Sequence, residues 1–357
     1  MRDPLFADMP RRRGRGASDN PANTYERFHV TLDPAALDEH ELRQVPTEIF
    51  RDTTREIFSI NNSPDIPFTH SINPYRGCEH GCIYCYARPT HEYLGFSAGL
   101  DFESRIIVKP DAPRLLYEAF QKRSYIPTTL VLSGNTDPYQ PLERKLRITR
   151  GILEVCHSHR NPVSIITKNH LVTRDIDLLE GLAAYNCVHV TISVTSLRPE
   201  ITGVMEPRTS RPALRLKTIR ELADRGIPVG VNVAPIIPGL TDDEMPAILK
   251  EAAAHGARYA GYTILRLPGA VEGLFKTWVR QTFPDRAKKI LARLHDLRGD
   301  DLGGKRFGRR MRGEGIWADL LRELFHATCR RYSLNNRDLT LETHHFRRTR
   351  PGQFELF

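Results

Sequence analysis

Several classes of protein are excluded by what the sequence does not contain. No window approaches the roughly 18 consecutive apolar residues that a membrane span requires, and mean hydropathy is −0.43, so no membrane partner is expected. The first residues, MRDPLFADMPRRRGRG, hold no apolar stretch of the kind a secretory signal needs, which points to the cytoplasm. Cysteine is used sparingly, six times in 357 residues. Thiols in a chain without an export signal stay reduced, so a disulfide framework is not expected. No G-x-G-x-x-G follows any strand-like segment, which leaves a dinucleotide-binding fold unsupported.

What is present suits a globular chain. Hydrophobic residues make up 40% of the sequence, which separates it from disordered chains. The length fits one large or two ordinary domains, at roughly 100–200 residues each. The formal charge of +9 is unevenly placed. Residues 1–60 carry 9 basic and 11 acidic side chains, residues 61–270 carry 24 and 21, and residues 271–357 carry 19 and 11. A basic segment of this kind can follow a phosphate backbone, and it can equally be a solvated surface. Its densest part is Lys305-Arg306-Phe307-Gly308-Arg309-Arg310-Met311-Arg312. There nucleic acid competes, as partner of the arginines, with the nearby carboxylates Asp300, Asp301 and Glu314. Residues 1–25 lack apolar periodicity and read as a flexible arm, with the arginine run 11–15 as a solubilising tail or a nucleic-acid contact.

From residue 66 the chain alternates. Strands are expected over 67–73, 128–133, 163–167, 188–194, 228–234 and 259–265, and helices over 112–125, 145–159, 175–185, 211–226 and 241–256. Thr241 and Glu244 are spaced as a capping box for the last of these. Short apolar strands separated by helices form a parallel sheet, because each parallel pair needs a crossover. A part-barrel and an open doubly wound sheet both fit. Polar residues follow the strands: Cys78, Asn135-Thr136-Asp137, Lys168-Asn169 and Glu206. In α/β barrels such loops gather on the face that holds the active site. Beyond residue 270 the spacing predicts helices over 284–298 and 316–332. On the latter, Ile316, Trp317, Leu320, Leu321, Leu324 and Phe325 form a stripe expected to pack on the barrel and cover an open edge.

The stretch NPYRGCEHGCIYCYARPTHEY sets Cys78, Cys82 and Cys85 at C-x3-C-x2-C directly after the first strand. Three thiolates on one short loop can converge on a metal centre. A [4Fe–4S] cluster takes four thiolates in its closed form; three would leave one iron open to a small chelating molecule. Zinc is the alternative, with His80 or His91 as fourth ligand. The spacing favours iron, since no second C-x2-C knuckle exists and Cys156, Cys187 and Cys329 are isolated.

C-x3-C-x-aromatic-C at the head of six β/α units resembles the radical S-adenosylmethionine (radical SAM) superfamily, over roughly residues 62–268. GCEHGCIYCYAR, SGNTDPYQPLE and TKNHLVTRDIDLL are similar, more narrowly, to the spore photoproduct lyase-like, "DNA repair photolyase"-type branch. The resemblance implies an α/β fold, a partial (β/α)6 TIM-type barrel over 61–270. An arm and lead-in would precede it over 1–60, and a mostly helical basic extension would follow over 271–357. It implies an enzyme with a [4Fe–4S] cluster on Cys78, Cys82 and Cys85, S-adenosyl-L-methionine chelated to the open iron, and an electron donor such as flavodoxin or ferredoxin. Reductive cleavage would give a 5′-deoxyadenosyl radical that takes hydrogen from substrate, with nucleic acid among the candidates. Residue by residue, Tyr84 matches the aromatic beside the adenine. Ser133-Gly134-Asn135 matches the segment that reads the methionine amino group, with the acidic residue displaced to Asp137. Lys168 and Ser193 match positions that hold the methionine carboxylate, Asn232 would meet the ribose, and Tyr86 matches a tyrosine implicated in radical transfer. One departure stands out: the branch implies a hydrogen-donating cysteine near Gly134, and LVLSGNTDPY has none, which argues against thymine-dimer repair. The rival readings are a non-catalytic nucleic-acid-binding protein with a structural cluster and a zinc-dependent hydrolase. The hydrolase would need His/Asp clusters such as H-x-x-x-H near the cysteines, and these are absent apart from His80 and His91.

Overall fold

The computed structural model describes residues 12–26, 45–66, 68–304 and 307–348. The strands are β1 (Glu48–Arg51), β2 (Ser59–Ile60), β3 (His70–Ile72), β4 (Tyr75–Arg76), β5 (Arg105–Val108), β6 (Leu130–Leu132), β7 (Val163–Thr167), β8 (Val188–Ser193), β9 (Val229–Ile236) and β10 (Tyr259–Ile264). The main sheet has the order β10-β9-β8-β7-β6-β3-β2. Its pairs are parallel from β3 to β10, in registers such as Leu132↔Ile165 and Ser193↔Asn232, and β2 closes the edge antiparallel. Neighbours in sequence are neighbours in space, and β10 does not pair with β2. The sheet is therefore a six-stranded part-barrel with an open side, the expected fold class.

Alternation along the strands explains both walls. One face carries Leu130, Leu132, Val163, Ile165, Val188, Val190, Ile192, Val229 and Val231, all buried in one large core. Over it pack the helices 112–121, 148–159, 176–183, 212–224 and 245–254. The opposite face carries Ser133, Ser164, His189, Ser193 and Asn232, which line a central cavity of about 560 Å³. Closed α/β barrels fill this space with layers of branched side chains. Small and polar residues here leave it open.

Three expectations need correction. Thr241 and Glu244 do not form a capping box. The Thr241 hydroxyl accepts the Ile237 N–H at 3.0 Å, while the Glu244 carboxylate crosses to Ser196 Oγ, Leu197 N and Arg198 Nε at 2.6, 2.7 and 2.9 Å. Three donors, one of them charged, outcompete a single local cap. The stripe on the last helix (Ile316–Arg331) is only half used. Leu321 and Phe325 are buried with Ala318 and Cys329, and Phe325 meets Tyr262 of β10 at 4.7 Å. Ile316, Trp317, Leu320 and Leu324 are exposed. The helix lies mainly against the helix 245–254, so it buries one flank of a wide stripe and reaches the β10 edge through Phe325. Finally, residues 12–25 are not a free arm. Arg12 and Arg15 are buried, and Arg15 Nη2 donates to Val45 O at 2.7 Å and Thr47 Oγ1 at 3.1 Å. Residues 1–11 and Lys305-Arg306 of the basic runs lie outside the described residues.

Two features carried no recognised signal. A small sheet, β1-β5-β4, flanks the cysteine loop. Residues 333–348 run past the N-terminal ends of the barrel strands. Asn335 brackets Ala260 of β10, accepting its N–H at 2.8 Å and donating to its carbonyl at 3.0 Å, as a strand neighbour would. Glu342 N donates to Asn186 O at 3.0 Å and Arg347 N to His159 O at 2.9 Å. Leu339 and Leu341 reach the cavity wall.

Candidate functional site

The cysteine loop follows β4 through a tight turn. Gly77 has φ +81°, and a Cβ there would lie 2.9 Å from Phe102 O, to which Cys78 N donates at 2.8 Å. Further on, Ile83 N donates to Met205 O at 3.1 Å. The Cys82 carbonyl accepts Arg88 Nε and Nη2 at 3.0 and 2.8 Å. The loop is thus held by its backbone, which leaves the three sulfurs free. Cys78, Cys82 and Cys85 all line the central cavity, and none is in a disulfide. Burial, reinforced by Asp137 for Cys78 and by Glu206 for Cys82, pushes both thiols up, Cys82 to about 12. A metal centre binds such sulfurs as thiolates and displaces their protons. The donor set fits an iron–sulfur cluster held by three cysteines.

Neither candidate for the fourth ligand that zinc would require presents a free nitrogen to the cavity. His91 Nε2 meets Arg105 O at 2.9 Å and its ring packs edge-on to Phe102; its Nδ1 is unpartnered among the described residues, but the residue does not line the cavity. His80 lies between Asp137 (Nδ1, 3.3 Å) and Asn169 (Nε2, 3.2 Å).

Around the same cavity stand groups with unmet bonding capacity. Lys168 follows β7, its ammonium 5.9 Å from the Tyr84 ring centroid and without a hydrogen-bond acceptor among the described residues. Burial disfavours its charge, but Cys82 and the Glu206 carboxylate outweigh burial and its pKa rises. Ser193 Oγ and the Asn232 side-chain amide also face the cavity without a partner among the described residues. An ammonium, a hydroxyl and an amide on adjacent strands suit an amino-acid carboxylate and a ribose.

The structure places the other expected residues as follows. Tyr84 edges the cavity, but its hydroxyl is turned down to Glu206 Oε1 at 2.6 Å. Ser133 adopts φ +93°, and a side chain at Gly134 would lie 2.7 Å from Ser71 Oγ, so that turn tolerates glycine alone. Asn135 is tied on both sides, its N–H to Asn73 Oδ1 at 2.8 Å and its amide to Thr90 Oγ1 at 3.2 Å. Asp137 does not stand free. Its oxygens accept Thr167 Oγ1 (2.7 Å), Tyr139 N (2.9 Å) and Lys168 N (2.8 Å) and face His80. Burial raises its pKa, but these donors more than reverse that and hold it at about 2. Asp137 thus lines the cavity with its oxygens already bonded, one of them to the Lys168 backbone. Tyr86 is half exposed at the rim and donates to Gly134 O at 3.1 Å.

Two cavity neighbours, Arg266 and His189, were missed, and Glu206 was noted only as a polar residue after a strand. Arg266, just past β10, holds its guanidinium 4.7 Å from the Tyr86 ring centroid; its place after the last barrel strand was the available signal. Glu206 lies beneath the cavity, buried with Arg215, Thr195 and Tyr84. His189 sits low on the cavity wall with Nε2 unpartnered, and burial pushes it down to about 4.

Known proteins resemble this arrangement at two levels. Solved structures of spore photoproduct lyase share the fold. One complexed with dinucleoside spore photoproduct aligns with a TM-score of 0.56 at 17% identity, covering 81% of this chain and 84% of that one. A mutant of the same enzyme gives 0.57 at 16%, covering 83% and 86%. Among curated sequences, an uncharacterized protein of Mycobacterium tuberculosis is 36% identical over 230 residues, 63% of this chain and 67% of its own length. One of Methanocaldococcus jannaschii is 29% identical over 214 residues, 60% and 76%. The radical SAM superfamily profile matches residues 72–252, from the first barrel strand to the helix before the last. That is half of the chain, and it contains the cysteine loop: the chain belongs to the radical SAM superfamily, enzymes whose cofactors are a [4Fe–4S] cluster and S-adenosylmethionine.

Proposed function

We propose that Cys78, Cys82 and Cys85 hold the [4Fe–4S] cluster and that S-adenosylmethionine binds across the ends of β7, β8 and β9, for hydrogen abstraction from a substrate in the same cavity. One observation carries this reading: three uncommitted thiols share a 560 Å³ cavity with Lys168, Ser193 and Asn232, which have no protein partners among the described residues. When bound, the two cofactors supply a one-electron reductive cleavage that yields a 5′-deoxyadenosyl radical. The protein's part is to bind and exclude. Lys168 and Ser193 take the methionine carboxylate, with Asp137 fixing the Lys168 backbone. Asn232 takes the ribose, and Ser133-Gly134 bring backbone close to the amino group. Tyr86, hydrogen-bonded at the rim and stacked under Arg266, is the side chain at the substrate's approach. Residues 335–348 and the loop 307–313, whose Met311 also lines the cavity, screen it from water. An electron donor such as flavodoxin or ferredoxin completes the cycle. The structural-cluster rival is disfavoured because it needs a fourth protein ligand, and His80 has both ring nitrogens partnered while His91 does not line the cavity.

Nucleic acid is the substrate class proposed for first test. The fold neighbour complexed with a dinucleoside photoproduct suggests it, and the basic loop lies at the cavity rim. Its reach is smaller than the net charge implies. Arg310 pairs with Asp65 at 2.8 Å and Arg309 with Glu314 at 2.9 Å, while Arg347 donates to Ser158 O at 3.0 Å. Arg312 is exposed with no such pairing among the described residues.

The test is an anaerobic incubation of iron-loaded protein with dithionite and S-adenosylmethionine, read by mass spectrometry. 5′-Deoxyadenosine is expected from the wild type and not from Cys82→Ala. Intact S-adenosylmethionine in the presence of a reduced cluster contradicts the proposal.

A further inference from the structure

Residues 15–21, expected as part of a flexible arm, lie against the outer side of the cysteine loop. We propose that they are a clamp that fixes the cluster-bearing backbone, with Gly16 and Glu103 as its positioning residues; this rests on the assignment of Cys78, Cys82 and Cys85 to the cluster.

Contact at Gly16 is too close for any other residue. A Cβ there would lie 1.8 Å from Gly81 O and 3.2 Å from Ile83 N, in the segment between the first and third cysteines. Gly16 N and Ala17 N each donate at 2.9 Å to the two oxygens of Glu103. Glu103 is fully buried and ion-paired with Arg88, whose guanidinium also donates twice to the Cys82 carbonyl and to Gly99 O at 2.9 Å. One buried carboxylate therefore couples the N-terminal segment, through a single arginine, to the backbone of the central cysteine. Ala17 packs in one apolar cluster with Cys82, Ile83 and Tyr84. Further along, Asn20 and Asp101 exchange two hydrogen bonds of 2.9 Å, and Asp19 O accepts Leu100 N at 3.1 Å. A Cβ at Gly99 would lie 2.1 Å from Asp19 O, so the backbones touch again there. None of these hydrogen bonds involves a thiol. What they control is where the loop's peptide groups stand and how much water reaches the cluster's outer side.

The test compares Gly16→Ala and Glu103→Gln with the wild type and with Gly203→Ala, where a Cβ meets nothing within 4 Å. Each full-length protein is iron-loaded anaerobically. Iron release to EDTA, the EPR spectrum of the reduced cluster and the melting temperature of the iron-free protein are then measured. Iron release about tenfold faster than wild type is expected from both clamp variants, the scale of one charged hydrogen bond. It should come with altered EPR g-values, which a loss of global stability alone would not produce. Gly203→Ala should match the wild type throughout. Should Gly16→Ala fail to fold, the isosteric Glu103→Gln decides alone. Wild-type iron release and spectra, or a lowered melting temperature with unchanged spectra, overturn the clamp while leaving the cluster assignment standing. A wild type that takes up no iron overturns both.

Discussion

At the C-terminal ends of the barrel strands, Lys168, Ser193 and Asn232 face a cavity without protein partners. At the N-terminal ends, residues 333–348 supply partners to polar groups: Asn335 to Ala260, Thr340 and Glu342 to Asn186, and Arg347 to His159 and Ser158. The same six strands thus end in one mouth that is open in hydrogen-bonding terms and one that is closed. Buried polar groups are paired wherever stability alone decides, because an unpaired one costs about 1–3 kcal/mol. A wall of unpaired groups beside three free thiols is therefore a site built for a ligand. His189, low on the cavity wall, is an exception, with Nε2 unpartnered and burial disfavouring its charge, and the Tyr262 hydroxyl is another.

That contrast is broken most severely at the thiols. Cys78→Ala, Cys82→Ala or Cys85→Ala should each abolish the uptake of about four irons per chain and the broad thiolate-to-iron absorption. Cys156→Ala, Cys187→Ala and Cys329→Ala, whose thiols are buried away from the cavity, should leave both intact. Iron analysis and visible spectra of the six proteins check this.

The exception at His189 can be tested in turn. The His189 pKa falls from 6.5 to about 4 on burial. Below pH 6.5 the unfolded chain binds a proton that the folded chain refuses until about pH 4. Stability should therefore be full above that window and fall as pH drops through it, by about 3 kcal/mol for this group. Urea unfolding between pH 7 and 4 should show a shallower decline in His189→Met, and an unchanged decline would contradict a buried neutral imidazole. His91, also pushed to about 4 by burial, keeps its own share.

Lys168→Ala should weaken anaerobic S-adenosylmethionine binding by roughly 1.5–3 kcal/mol, the range for a hydrogen bond to a charged group, and leave unfolding unchanged. Calorimetric titration reads the first and circular dichroism the second. Phe346→Ala, at the closed mouth against Phe120 and Tyr125, should do the reverse, costing about 1–2 kcal/mol of stability for a part-buried ring with unaltered binding. If both mutations affect both properties, the two mouths are not separate in function.

The smallest effect concerns nucleic acid. Arg312→Ala should reduce the magnitude of the salt slope of DNA or tRNA binding by up to about one unit, one phosphate contact. Arg310→Ala should instead lower the melting temperature by releasing Asp65. Anisotropy titrations over a range of salt distinguish the two.

Much of this was legible because it was local. Strand 163–167 and helix 284–298 were read at the bounds they adopt, since β-branched runs and a proline at a helix start act within a few residues. The cysteine spacing was equally local. What the sequence concealed depends on long-range partners. Gly16 gains meaning only against Gly81, and Asn335 only against Ala260. The Glu244 carboxylate ignored its neighbour Thr241 for donors 46–48 residues away. Asp137 illustrates the middle case: an acidic residue after a strand was visible, whereas the four donors that occupy it were not.

The central claim is that three cysteines leave one iron open to S-adenosylmethionine. Electron–nuclear double resonance on the reduced protein, with S-adenosylmethionine carrying ¹⁵N in its amino group, tests it directly. A ¹⁵N coupling to the cluster spin is the predicted result, present in the wild type and in Cys156→Ala alike. A reduced cluster whose spectrum shows no ¹⁵N coupling when S-adenosylmethionine is bound would contradict the account.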